Sequence, residues 1–596
     1  MPPAWRAAVA LMRAAPEDVR MLTRCCEILH ETPVSELADG ADAVVAVVAA
    51  LRFLVARGSR SLHHALFALG TLVAASAVNR QAAASAGALD AALATMRAAI
   101  DDAEIQFLGC TALAHLAVAG VMRADGAAEA AFGAIVAAHR AHPESDDVLS
   151  ETQGAIRSII LEDPRPLPAT ANTCEMLKPA AVKAAIKAGA IEMLLAQIRT
   201  HTRNEDDDML HRCFFVLAHL YYERDSCDRK LMLAVECIQL IVPVMVTRSG
   251  VVRMQAQSCF ALSNVARHAP DHEMIRTGGL SAAVKALLQY ESEWNVQQNA
   301  CGVLEAACET ASSDTAVFAV SLGAFTGVVA ALRAHPNHEE VQRAACGALC
   351  WLAVRHKKQQ RHAAGMAAAI EPLVAALRTF PANPFLQRFG CLALSRVISE
   401  RIAPIQRAVE AGAIEAILAG MDAISDAASS AVNVHSPSTY QSGCEALIML
   451  VMLSPATEER AVCAVAAIED VVVATRGLQS DYPSDVEVCE AVLKRLRAAV
   501  LRHDRGRCGN AACKRCAAAR ERGAMCALPS CSARARPDGK KLKRCGRCLV
   551  AAYCGEAHQR EHWPTHRPLC RAAADADASA GADHDDASAA MERLSI

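Results

Sequence analysis

The phrase ACGAL at residues 345–349 recurs along the chain, and its recurrence decides the fold. It reads GCTAL at 109–113, SCFAL at 258–262, ACGVL at 300–304, GCLAL at 390–394, GCEAL at 443–447 and VCEAV at 488–492. CFFV at 213–216 fits the same place, with weaker matches at Cys26, Leu66 and Gly154. The successive intervals are 40, 44, 44, 59, 46, 42, 45, 45, 53 and 45 residues. The two long ones contain EDPRPLPATANT (162–173) and SSAVNVHSPSTY (429–440), whose Pro, Ser and Asn content reads as loop.

A second phrase runs in step with the first. It is AGALDAAL at 86–93, AGAIEMLL at 188–195, GGLSAAVKALL at 278–288, LGAFTGVVAAL at 322–332 and AGAIEAIL at 411–418. A glycine followed by apolar residues at three- and four-residue spacing predicts a helix end, a tight turn and a second, amphipathic helix. The composition suits such a stack. Of 596 residues, 53% are hydrophobic but only 4% aromatic, so the core must be close-packed Ala, Leu, Val and Ile. The repeated cysteines fall at one place on one apolar face, where cysteine acts as a small hydrophobe. We read them as packing spacers rather than redox or metal groups.

A period of about 40–47 residues with two or three helices per unit resembles armadillo and HEAT arrays. The phrase AGAIExLL, a loop, then Q/R-x-A-C-x-A-L is similar to armadillo repeats over most of residues 1–500. The expectation is an all-α, armadillo/HEAT-like α-solenoid of about ten or eleven helical units. Armadillo families often hold extended peptides with a ladder of asparagines on successive third helices. Five residues after the repeated Cys, that place is Asn264 once and otherwise His115, Ala218, Ala306, Trp351, Arg396 and Met449. An importin-like ladder is therefore not expected, while Trp351, Arg396 and Trp294 are side-chain types that anchor partners.

The net charge of −3 gives no global attraction to nucleic acid or membrane. The N-terminus, MPPAWRAAVALMRAAPEDVR, lacks the pattern of a signal peptide. LMLAVECIQLIVPVMV (231–246) carries Glu236 and is short for a bilayer span. The expected setting is intracellular, cytoplasm and/or nucleus, with no membrane partner. Cysteines there are thiols or metal ligands rather than disulfides.

Of 25 cysteines, nine lie between Cys508 and Cys570. Cys526, Cys531, Cys545, Cys548, Cys554, His558, His566 and Cys570 supply eight soft ligands in close pairs, enough for two tetrahedral zinc sites. The run Cys545-GR-Cys548-LVAA-Tyr553-Cys554-GEA-His558-Gln559-REH-Trp563-PT-His566-RPL-Cys570 closely resembles the second half of the MYND zinc finger. The sixth ligand is His558, where Cys is more usual, and Cys526-ALPS-Cys531 is C-x4-C where that family has C-x2-C. The resemblance implies two interleaved zinc ions. One would be held by Cys526, Cys531, Cys554 and His558, the other by Cys545, Cys548, His566 and Cys570. With four protein ligands on each ion, such zinc is structural. The resemblance also implies that Gln559 and Trp563 border a groove for proline-containing peptides, beside a hairpin that includes residues 549–553.

Cys508, Cys513 and Cys516 could join His503 in a third site or be linker thiols. The domain reading is a solenoid over 1–500, a basic Cys-containing linker over 501–525, the finger over 526–570 and an acidic, disordered tail over 571–596. The expected function is a non-catalytic protein–protein interaction scaffold or adaptor that recruits partners through finger and solenoid. Two alternatives stand beside it. One is a relative of the lysine methyltransferases that carry a MYND finger within a SET domain. The other is a nucleic-acid-associated transcriptional co-regulator, resting on the basic run RARPDGKKLKRCGR (534–547).

Overall fold

The computed structural model describes residues 3–428, except 60, 119–125, 162–176, 223–226, 271, 311–312, 354–365 and 399–401, and short pieces of 442–450 and 543–561. The chain divides into two compact units, Met1–Thr315 and Ala316–Ile596. The described residues of the first unit, and those of the second up to residue 428, form helical repeats.

The first unit runs α1 (Ala4–Ala14), α2 (Val19–Glu31), a 3-10 turn (Val34–Leu37), α3 (Ala41–Ala56) and α4 (Leu62–Ala75). It continues with α5 (Ala77–Ala86), α6 (Ala88–Ala98), α7 (Ala103–Val118), α8 (Ala127–Ala141) and α9 (Asp146–Ile160). Then come α10 (Pro179–Ala188), α11 (Ala190–Arg203), α12 (Asp207–Tyr222), α13 (Asp228–Thr247), α14 (Val252–Ala266), α15 (Glu273–Arg276), α16 (Gly279–Gln289) and α17 (Trp294–Thr310). The division between units falls within α18 (Ser313–Ser321). The second unit continues with α19 (Ala324–Ala334), α20 (Glu339–Leu352), α21 (Ile370–Thr379), α22 (Pro384–Ile398), α23 (Ile402–Glu410) and α24 (Ala413–Ala428).

The repeat is a short first helix, a glycine turn, a second helix and a longer third helix. The third helices pack side by side: α2 on α4, α4 on α7, α7 on α9, α9 on α12, α12 on α14 and α14 on α17 in the first unit, α20 on α22 in the second. The glycine phrases sit where expected. Gly87, Gly189, Gly278, Gly323 and Gly412 all have positive φ, from 71° to 100°, which a side chain would strain. Arg52, Arg333 and Arg378, from second helices, reach the next repeat's first-to-second-helix turn and donate to the carbonyls of Ala86, Ala368 and Ala411. Carbonyls orphaned at that helix end are thereby satisfied from the neighbouring repeat.

The repeated cysteines behave as spacers. Cys26, Cys110, Cys213, Cys259, Cys301, Cys346 and Cys391 are all buried, and Cys444 and Cys489 lie outside the described residues. In GCTAL and GCLAL the preceding glycine meets the second helix's side chains closely. A Cβ on Gly109 would come within 2.4 Å of Met96, and one on Gly390 within 2.8 Å of Leu377. The second helix leaves no room there.

A glutamine four residues before the cysteine holds the corner between second and third helices. Gln106 Nε2 donates to the Met96 carbonyl at 2.9 Å and the Ala99 carbonyl at 2.8 Å. Gln255, Gln297, Gln342 and Gln387 repeat the arrangement, each reaching the carbonyls ten and seven residues back at 2.7–3.1 Å. The far side of the corner is capped by Asp102, Asp206 and Asn383, whose side chains accept from the backbone N–H three residues on.

Helix α13 spans twenty residues, more than the sequence segment suggested, and is long and apolar enough to cross a membrane by length and composition. Its packing is that of a repeat helix. Ala234, Cys237, Ile238, Ile241, Val244 and Met245 are buried, and Glu236 pairs with Arg199. Pro243 is accommodated because its ring lies on the exposed side.

Two outcomes follow from this packing. Gln342→Leu removes both corner hydrogen bonds and should lower unfolding free energy by about 2 kcal/mol. Exposed Gln239→Leu on α13 should leave it nearly unchanged; urea unfolding followed by helical signal checks both. Burial pushes the Cys259 and Cys391 thiols up to about 12 and drives Cys110 and Cys213 higher still, so none is a thiolate at pH 8. Iodoacetamide with peptide mapping should label exposed Cys227 in the folded chain and reach those four only after unfolding.

Candidate functional site

Two regions have the features of a binding site. The first is C-terminal, where Lys543–Arg544 (β1) pairs antiparallel with Ala552–Tyr553 (β2), Lys543 opposite Tyr553 and Arg544 opposite Ala552. In sequence Cys545 and Cys548 lie between the two strands, and Cys554 directly follows the second. Three of the expected ligands thus lie, in sequence, between or next to the two strands. Beyond them Ala557 and Gln559–Glu561 are helical, on either side of His558.

Gln559 is described and half-buried, flanked by exposed Arg560 and Glu561. The remaining calls lie outside the described residues: Cys526, Cys531, Cys545, Cys548, Cys554, His558, His566, Cys570 and Trp563, as do Cys508, Cys513 and Cys516. Among the described residues no group of His, Cys, Asp and Glu is placed to hold a metal ion. The donor set is nonetheless of zinc type. It is thiol and imidazole throughout, with Cys545 and Cys548 forming a C-x2-C pair in sequence.

The second region is the third-helix face of the first unit, across α9, α12 and α14. The Arg157 guanidinium lies over the Phe215 ring, 5.2 Å from its centroid. Phe215 in turn lies 4.3 Å from the His219 ring, and His219 meets Phe260 edge-on at 5.4 Å. His219 Nδ1 is 2.7 Å from the Phe215 carbonyl, so the neutral ring donates from Nδ1 and keeps Nε2 as an acceptor. Burial pushes the His219 pKa down to about 4, which fixes that neutral form at ordinary pH. Neither His219 Nε2 nor Asn264 Nδ2 has a hydrogen-bond partner among the described residues, and both are buried. Arg267 donates to Asn264 Oδ1 at 3.1 Å.

This face corrects one point of the sequence reading. Matching CFFV to the repeat by Cys213 puts Ala218 in the ladder place. Placing Phe214 there instead aligns FFVLAH (214–219) with CFALSN (259–264), Phe215 with Phe260 and His219 with Asn264. The ring contacts follow that register, and Ala218 is buried. A double Phe beside the cysteine was the available signal, overridden by the identity of one residue.

In the second unit, Trp351 and Arg396 engage each other. The Arg396 guanidinium sits 5.0 Å from the Trp351 ring centroid and donates to the Cys350 carbonyl. They form one stacked pair, not two separate anchors.

Residues 513–570 match the family model of the MYND finger. An engineered protein of known crystal structure superimposes with a TM-score of 0.53 at 20% identity, covering 76% of this chain and 98% of its own. So does a structure from work on a phosphorylation switch controlling the interaction between cadherin and beta-catenin, with a TM-score of 0.53 at 14% identity, covering 83% and 96%. At these identities the likeness is one of fold. No curated protein matches the chain. The fold and the match define an armadillo-type α-solenoid protein that ends in a zinc finger. That finger is of the MYND type.

Proposed function

We propose that this chain is a non-catalytic adaptor, which joins partners through its MYND finger and its solenoid surface. The observation that carries the reading is the finger match at 513–570 on the same chain as a helical-repeat solenoid. The finger binds two structural zinc ions: Cys526, Cys531, Cys554 and His558 hold one, Cys545, Cys548, His566 and Cys570 the other. Zinc supplies a cross-link that a unit this small cannot obtain from an apolar core, so metal binding is its folding energy. Gln559 and Trp563 border the finger's groove for proline-containing peptides, where an already extended ligand loses little entropy. The organisation is a solenoid over 1–500, a linker over 501–525, the finger over 526–570 and a tail over 571–596. The setting is cytoplasm and/or nucleus.

Pull-down with the full chain tests the adaptor, comparing the unchanged protein with Trp563→Ala and with Cys548→Ser. Elemental analysis should return two zinc ions for the unchanged chain and for Trp563→Ala, and fewer for Cys548→Ser. Trp563→Ala should weaken a proline-rich peptide selected on the unchanged chain about thirtyfold. Equal binding by that variant would leave Trp563 as packing only, and one zinc ion per unchanged chain would break the ligand assignment.

A further inference from the structure

We propose that the seam between α2 and α4 is an acid-sensitive joint: protons taken up by a histidine cluster there part the two helices while distant repeats stay folded. The cluster is His30 on α2 with the neighbouring pair His63 and His64 on the first turn of α4.

The three rings are packed together. His63 and His64 have centroids 3.9 Å apart, and His30 meets His64 edge-on at 5.7 Å. His30 also stacks on Phe67, with centroids 3.9 Å apart. All three histidines are half-buried. Nδ1 of His30 and Nδ1 of His64 are buried without a hydrogen-bond partner among the described residues. The Phe67 face attracts one imidazolium. Further positive charge has few acids to meet. Those facing His64 are Glu27 on α2, whose Oε1 lies 3.4 Å from His64 Nε2, and Glu104 on α7. Glu27 already accepts from Arg24 at 2.6 Å. At these separations, in half-buried space, imidazolium groups repel one another more than the two carboxylates offset.

Burial, then His63 and His30, hold the His64 imidazole below the usual histidine range, against the pull of Glu27 and Glu104. A parted seam takes the proton at about pH 6.5, the packed seam only at lower pH. The stability that neutral His64 gives the seam is thus whole above about pH 6.5 and is lost as pH falls through the packed value. The hydrogen bond from Arg24 holds the Glu27 carboxyl below the usual carboxylate range, so at pH 5.5 the histidines respond and Glu27 does not. In a repeat array each unit contacts only its neighbours, so one seam opens without the rest.

Cys26 reports on the joint. It is fully buried on α2, in the repeat place that Cys346 holds on α20, where Cys346 Sγ lies against Gly390 of the next third helix.

The test labels the full chain with 4,4′-dithiodipyridine at pH 7.5 and at pH 5.5. Each rate is divided by that of the urea-unfolded chain at the same pH, and peptide mapping assigns it to a cysteine. The relative rate at Cys26 should rise about fivefold on acidification, and that at Cys259 on α14 should not change. His64→Gln should leave a rise below about twofold. His63→Gln, which relieves repulsion but keeps His64, should give an intermediate rise. Glu27→Gln, which removes an opposing carboxylate, should enlarge it. Helical signal at pH 7.5 verifies that each variant is folded. An equal rise at Cys259 would be general acid unfolding and would overturn the joint. So would no rise at Cys26, or a rise that both His63→Gln and His64→Gln leave untouched.

Discussion

The corner between second and third helices depends on one side-chain amide. A helix that stops abruptly leaves its last carbonyls without partners, and a buried unbonded carbonyl is expensive. In five repeats the chain answers with a glutamine on the first turn of the third helix, whose single NH2 group bonds two of those carbonyls at once. That bond satisfies carbonyls at the short connections of residues 99–102 and 335–338. With the corner fixed, the small residue and cysteine that follow are set against the second helix, which is why Gly109 and Gly390 admit no Cβ. The register of one amide therefore fixes the packing of the whole repeat.

Where the glutamine is missing, the interior changes character. The repeats containing α9 and α12 have Ser150 and Leu210 in its place. Between them lies a buried polar network instead: Gln153 Nε2 donates to Gln197 Oε1 at 2.8 Å and to Cys213 Sγ at 3.0 Å, and Gln197 Nε2 donates to Thr152 Oγ1 at 3.1 Å. These amides bond other side chains rather than a helix end. Satisfied polar interiors of this kind tie neighbouring helices to a unique register. The repeat next to the long 162–173 segment is thus held differently from the others. It also borders the Arg157–Phe215–His219–Phe260 column, so irregular interior and unusual surface share an origin in sequence.

The solenoid was legible because periodicity is a property of many residues at once. Seven occurrences of a five-residue phrase and five of a glycine phrase leave little freedom, and those within residues 3–428 lie on the helices and turns they implied. What escaped was carried by single side chains. Reading Cys213 as the repeat's cysteine misplaced α12 by one residue, because identity at one position outweighed the pattern FFVLAH against CFALSN. The corner glutamines were part of the phrase, yet nothing in a one-dimensional pattern reveals that an amide reaches ten residues back. In the finger, ligand spacing carried the identification of its type, and the pairing of Lys543 with Tyr553 agrees with a hairpin there. The arrangement of its eight ligands lies outside the described residues.

The two modules on this chain solve stability in opposite ways. A repeat array buries apolar surface between neighbours and can afford a polar or strained residue anywhere that both flanking repeats are sound. A finger of about fifty residues buries too little for that and depends on metal ligation. Tolerance in the first module is what lets His219 and Asn264 keep unsatisfied atoms at a cost borne by the surrounding helices. Each residue also gives something back: His219 bonds the Phe215 carbonyl through Nδ1, and Asn264 Oδ1 accepts from Arg267.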